Sequence, residues 1–93
     1  MSYIELYEVI SKPWASVYEI RMIANNCGRD VATKIRDEIE KKIINEGKKL
    51  PKSKVKVVPT KEVLNYLNLN YDFIVQMAIN EQNVKNGYSN RTR

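Results

Sequence analysis

Four consecutive residues, Asn25-Asn26-Cys27-Gly28, divide two runs of helical periodicity, and this interruption constrains the fold more than any other feature of the chain. Before it, Val17, Ile20, Ile23 and Ala24 recur at three- and four-residue spacing. After it, Val31, Ala32, Ile35, Ile39 and Ile43 do the same. Each run is apolar along one stripe, so each helix must bury that stripe against another element. Asn and Gly tolerate the left-handed backbone that turns a chain after a helix. Ser16 to Glu19 has the S-x-x-E form of a capping box, which starts the first helix. Asp30 sits in the first turn of the second, where the helix dipole favours a negative charge, and Gly47 ends it after Asn45 and Glu46. Ala32 is small enough to let the two helices approach closely near the turn.

The flanking segments extend this pair. Tyr3 to Ile10 reads as a short helix, with Ile4, Tyr7 and Val9 or Ile10 at helical spacing, and Lys12-Pro13 interrupts it. Trp14 reads as a core or staple residue. From Lys54 onward, lysine alternates with apolar residues at the period of a half-buried strand, and Pro51 to Ser53 supply turn chemistry. A two-stranded hairpin follows, with Leu50, Val55 and Val57 inward and Lys54 and Lys56 outward. Thr60 after Pro59 is an N-cap for a short helix through Val63, Leu64 and Leu67. Phe73, Ile74, Met77, Ala78, Ile79 and Val84 predict a last helix to about Asn83. The fold class expected is mainly α with a small β-hairpin: a winged helix-turn-helix with extra N- and C-terminal helices. Residues 1–86 form a single domain in this reading, and 87–93 a disordered tail.

The charge is concentrated. The chain carries 16 Lys plus Arg against 11 Asp plus Glu, for a net +5. Residues 29–61 hold 11 of the bases and five acids, and Gly47 to Lys61 contain six lysines and no acid. An excess of this kind favours a polyanionic partner or an anionic membrane surface, and net charge alone decides neither. Lys48, Lys49, Lys52, Lys54 and Lys56 on a protruding hairpin suit phosphate contacts, which set affinity more than sequence choice. Arg29, Thr33, Lys34 and Arg36, in the N-terminal half of the second helix, are the candidates for reading bases in a major groove. Each feature has a plainer reading as well. Lysines protect an exposed strand edge from aggregation, and Arg36 with Glu40, or Lys34 with Glu38, are spaced as helix-stabilising pairs.

Catalysis is disfavoured. The chain has no histidine, which removes the commonest general base, and one cysteine, Cys27, which forms no intramolecular disulfide and reads as a small filler. No carboxylate pair, nucleophile with a base, or metal-ligand cluster is visible, so no enzyme activity, metal or cofactor is expected. The N-terminus has neither a signal-peptide pattern nor a membrane span, and a reduced, cytoplasmic protein is expected.

The spacing of Ile20, Ile23, Cys27-Gly28, Ala32, Ile35-Arg36, Gly47, Val58-Pro59, Val63 and Leu67 resembles the small excisionase-like winged helix-turn-helix proteins of temperate phages and of integrative and conjugative elements. The resemblance covers about 50 residues. It implies that the second helix, with Arg29, Thr33, Lys34 and Arg36, enters the major groove of double-stranded DNA, and that Lys52, Lys54 and Lys56 lie on the wing. It further implies an excision factor that steers an integrase, or a small transcriptional regulator. The chain departs from the family at Leu67-Asn68, where Leu-Gly is usual, and in its longer terminal segments. Those segments motivate a rival from another class: a protein-interaction module or phage-encoded inhibitor of a host protein, using Phe73, Ile74 and Met77 as a partner groove or homodimer contact.

Overall fold

A computed structural model describes residues 2–52 and 54–90, with side chains described as far as Lys85. Five helices and one strand pair occur in the order α1 (Tyr3–Ile10), β1 (Trp14–Ala15), α2 (Val17–Ile23), α3 (Arg29–Asn45), β2 (Val58–Pro59), α4 (Thr60–Tyr66) and α5 (Tyr71–Asn90). The fold is therefore mainly helical with a small antiparallel sheet, in which Trp14 faces Pro59 and Ala15 faces Val58.

The turns follow the residues that make them. Asn25 and Asn26 both adopt φ 60°, and the Asn26 N–H returns to the Arg21 carbonyl at 2.7 Å, closing α2. Gly47, at φ 79°, closes α3: its N–H reaches the Ile44 carbonyl at 2.9 Å, and the Lys48 N–H reaches that of Ile43 at 3.1 Å. These paired bonds form a Schellman motif. Asn68, at φ 57°, ends α4 in the same way, with Leu69 bonded to Leu64 at 2.8 Å.

The core joins the stripes anticipated from periodicity. Ile20 and Ile23 of α2, Ala32, Ile35, Ile39 and Ile43 of α3, and Val63 and Leu64 of α4 are buried together with Ala15 and Val58. Cys27 is half-buried against this cluster. Lys42 pairs with Glu62 at 3.0 Å, fastening α3 to α4.

Several expectations change. No hairpin spans 48–57, and within the described residues this segment is a loop, Ser53 lying outside them. The strand pair joins β2 to β1 across the chain, where Val58 packs into the core beside Ala15. Val55 is 60% exposed rather than inward, whereas Leu50 is packed against the core as anticipated. Trp14 is 42% exposed, because strand alternation gives the core position to Ala15. Thr60 begins α4 without capping it: its buried hydroxyl donates to the Lys12 carbonyl at 2.5 Å, and its N–H to the Pro13 carbonyl at 3.0 Å. In α1, Leu6 packs against the core and Tyr7 is exposed.

Helix α5 starts at Tyr71 and continues to Asn90, past the expected end near Asn83 and into the stretch from residue 87 read as a tail; residues 91–93 lie outside the described part. It packs along α1, and its Glu81 carboxylate accepts the Tyr3 and Ile4 N–H groups at 3.1 and 3.2 Å. A residue far along the sequence thereby satisfies the first amides of α1, which a helix cannot satisfy itself.

Candidate nucleic-acid interface

The register of the sheet determines which residues meet. Since β1 and β2 run antiparallel with Ala15 opposite Val58, the residues just after β1 lie beside those just before β2. Ser16, Val17 and Tyr18 at the start of α2 therefore share a groove with Lys54, Val55 and Lys56. Helix α3 supplies the remaining wall through Arg29 and Arg36, seven residues and two turns apart on one side of the helix. Arg21, one turn beyond Tyr18 on α2, completes it. The groove encloses about 450 Å³ and is lined by five cationic side chains with no carboxylate among the described lining residues.

Local bonds fix its walls. At the start of α2, Ser16 and Glu19 form the expected capping box, with the Glu19 carboxylate accepting the Ser16 N–H at 2.8 Å and its hydroxyl at 2.5 Å. Burial pushes the Glu19 carboxyl up, but the bonds from Ser16 and the nearby Lys12 ammonium outweigh it and hold the group below its ordinary range. Arg21 Nε donates to the Cys27 carbonyl at 3.0 Å, bracing the turn into α3. Thr33 Oγ1 donates to the Arg29 carbonyl at 2.8 Å. The Arg36 guanidinium binds Asp37 through Nε at 3.1 Å and also through Nη2.

The structure thus brings together Arg29 and Arg36 from the expected recognition helix with Lys54 and Lys56 from the expected wing. Thr33 and Lys34 lie apart from them. Together with Asp30, Asp37, Glu38 and Lys41 they line a second, shallow groove of mixed charge along the outer side of α3. Lys48, Lys49 and Lys52 are exposed on the loop outside the basic groove, and Lys48 lies 3.9 Å from Glu46. The spacing that suggested Arg36–Glu40 and Lys34–Glu38 pairs is used differently, since Arg36 binds Asp37 and Glu38 accepts from the Tyr66 hydroxyl.

Arg21, Tyr18 and Val55 belong to the site without having been singled out from sequence. The available signal was on α2, where Tyr18 and Arg21 stand three residues apart just beside the Val17–Ile20 stripe. Tyr18 is 64% exposed, an aromatic ring offered to the groove rather than spent on the core.

Among the described residues no cluster of three or more His, Cys, Asp or Glu could hold a metal ion, and no helix is long and apolar enough to cross a membrane. A third surface feature lies between α1 and α5: a largely apolar groove of about 390 Å³ lined by Ile4, Tyr7, Val75, Ala78 and Ile79 together with Glu8 and Gln82. No protein-family model, curated protein or solved structure matches the chain.

Proposed function

We propose that the protein binds double-stranded DNA as a winged helix-turn-helix of phage or mobile-element type, acting as an excision factor or small transcriptional regulator. The observation that carries this reading is the convergence of Arg21, Arg29, Arg36, Lys54 and Lys56 on one groove from three separate chain segments. Net charge alone would scatter cations over the surface. Here the antiparallel register gathers them where a row of phosphates could lie.

In this reading α2 and α3 are the helix-turn-helix, and the 48–57 loop stands in the place of a wing. Lysine suits the loop because an ammonium pairs with a phosphate without fixed geometry, while Arg29 and Arg36 offer planar, multidentate contacts. Base reading falls to Arg29 and Arg36, the α3 residues that line the basic groove. Thr33 and Lys34 are less favoured than sequence position suggested, since three carboxylates share their groove.

The test is binding to random-sequence duplex DNA by fluorescence anisotropy over a range of salt. Five phosphate contacts give a slope of about −4.5 in log K against log salt, so affinity falls about 500-fold between about 50 and 200 mM salt. A flat salt response, or no binding at the lowest salt, would remove the proposal. The exposed apolar groove between α1 and α5 favours a second reading as a protein-interaction module, through Ile4, Tyr7, Val75 and Ile79 and not through the expected Phe73, Ile74 and Met77, of which Ile74 is buried in the core. That reading predicts capture of one host protein that survives nuclease treatment, without any shift of DNA.

A further inference from the structure

We propose that Asp37 is a built-in competitor for phosphate at the basic groove, holding Arg36 in a weak intramolecular pair that DNA must displace. This inference rests on the DNA-binding reading above. Adjacent residues on a helix point about 100° apart and do not ordinarily face each other. Arg36 nevertheless turns both Nε and Nη2 onto a single oxygen, Asp37 Oδ1.

The two residues belong to different surfaces. Arg36 lines the basic groove, and Asp37 lines the mixed-charge groove on the outer side of α3. The pair therefore bridges the ridge between them. Its two halves also differ in solvation, the Arg36 side chain being 15% exposed and that of Asp37 49%. The guanidinium is the largely desolvated partner, and the carboxylate is half open to water. An ion pair with one half exposed is weak, whereas a phosphate presented to a guanidinium among four other cations gains charge-assisted, bidentate bonds. Asp37 thus neutralises the most buried groove cation in the free protein and is the group a phosphate replaces. It sets how tightly the groove holds DNA of any sequence, leaving more of the discrimination to other contacts.

The experiment compares Asp37→Asn with Asp30→Asn and Glu38→Gln, each removing one negative charge from the same outer groove, on a random-sequence duplex. Asp37→Asn is expected to tighten binding roughly three- to fivefold, with the Asp30 and Glu38 variants changing it by less than about twofold. Asp37→Glu keeps a carboxylate and stays near wild type. In an Arg36→Gln background, the gain from Asp37→Asn disappears, and thermal melting of each variant reports that it is folded. Equal effects of the three neutralising variants, or a gain that persists without Arg36, would overturn the inference while leaving DNA binding in place. Failure of the wild-type protein to bind duplex at low salt would overturn the DNA reading and this inference with it.

Discussion

Replacing Ile20 by Ala should remove a large part of the stability of the fold. Ile20 is fully buried on α2, packed with Ala32 and Ile35 of α3 in the cluster that joins the two helices. The substitution deletes three buried carbon atoms at about 0.8 kcal/mol each, or about 2.4 kcal/mol of transfer free energy. Incomplete collapse of the cavity raises the loss to about 3 to 4 kcal/mol. A chain of this size has only about 5 to 14 kcal/mol in total. Urea denaturation followed by circular dichroism should show the midpoint falling by about 3 M at an m value of about 1.2 kcal/mol/M, with m itself unchanged. Ile44→Ala is the control, since Ile44 is 57% exposed on α3 and should change stability by less than about 0.5 kcal/mol. A loss under about 1.5 kcal/mol at Ile20, or one matched at Ile44, would mean that α2 and α3 do not share the interface described.

Further expectations concern the turns and the acid limb of stability. Asn68→Ala should cost about 1 kcal/mol, because φ 57° at the end of α4 is a left-handed conformation that alanine resists, while Asn68→Gly should be neutral or stabilising in the same denaturation assay. At Glu81, burial pushes the carboxyl up, but the Ile4 and Tyr3 N–H groups, with the Ser2 hydroxyl and the Lys85 ammonium, outweigh it, so the folded protein holds the group below its ordinary value. A depressed carboxyl contributes its full stability above the unfolded-state value and loses it as pH falls through the lower folded-state value. Glu81→Gln should therefore be less stable than wild type at neutral pH, with the gap closing through the acidic range. A gap independent of pH in parallel melts would show that the charge on Glu81 has no part in capping α1.

Much of the helical core was legible because periodicity reports burial directly. The stripes Val17–Ile20–Ile23 and Ala32–Ile35–Ile39–Ile43 required two helices with facing sides, and the Asn-rich turn fixed where the chain reversed. Long-range pairing was less legible. The alternation from Lys54 to Val58 carries a strand signal but not the identity of its partner, and a local hairpin was the shortest solution. The partner instead lies at Trp14–Ala15, because Ala15 and Val58 fit together in the core. For the same reason the site was half visible: Arg29, Arg36, Lys54 and Lys56 stood out as charges, but Arg21 joined them only through the register of the sheet. Thr33 and Lys34, neighbours of Arg36 in sequence, turn with the helix toward a different set of charges. The Arg36–Asp37 pair was hidden for another reason, since adjacent helical residues are not expected to meet.

If one groove, rather than overall charge, holds DNA, two pairs of lysines of equal charge must differ in what their removal costs. Lys54→Ala with Lys56→Ala and Lys34→Ala with Lys41→Ala each lower the net charge from +5 to +3 by removing two lysines, the first pair from inside the basic groove and the second from outside it. Anisotropy of both double variants on the same duplex should show the groove pair weakened about 60-fold at about 0.1 M salt, with a salt slope shallower by about 1.8, and the outer pair only slightly affected. Equal losses from the two double variants would mean that overall charge, and not the groove, governs binding.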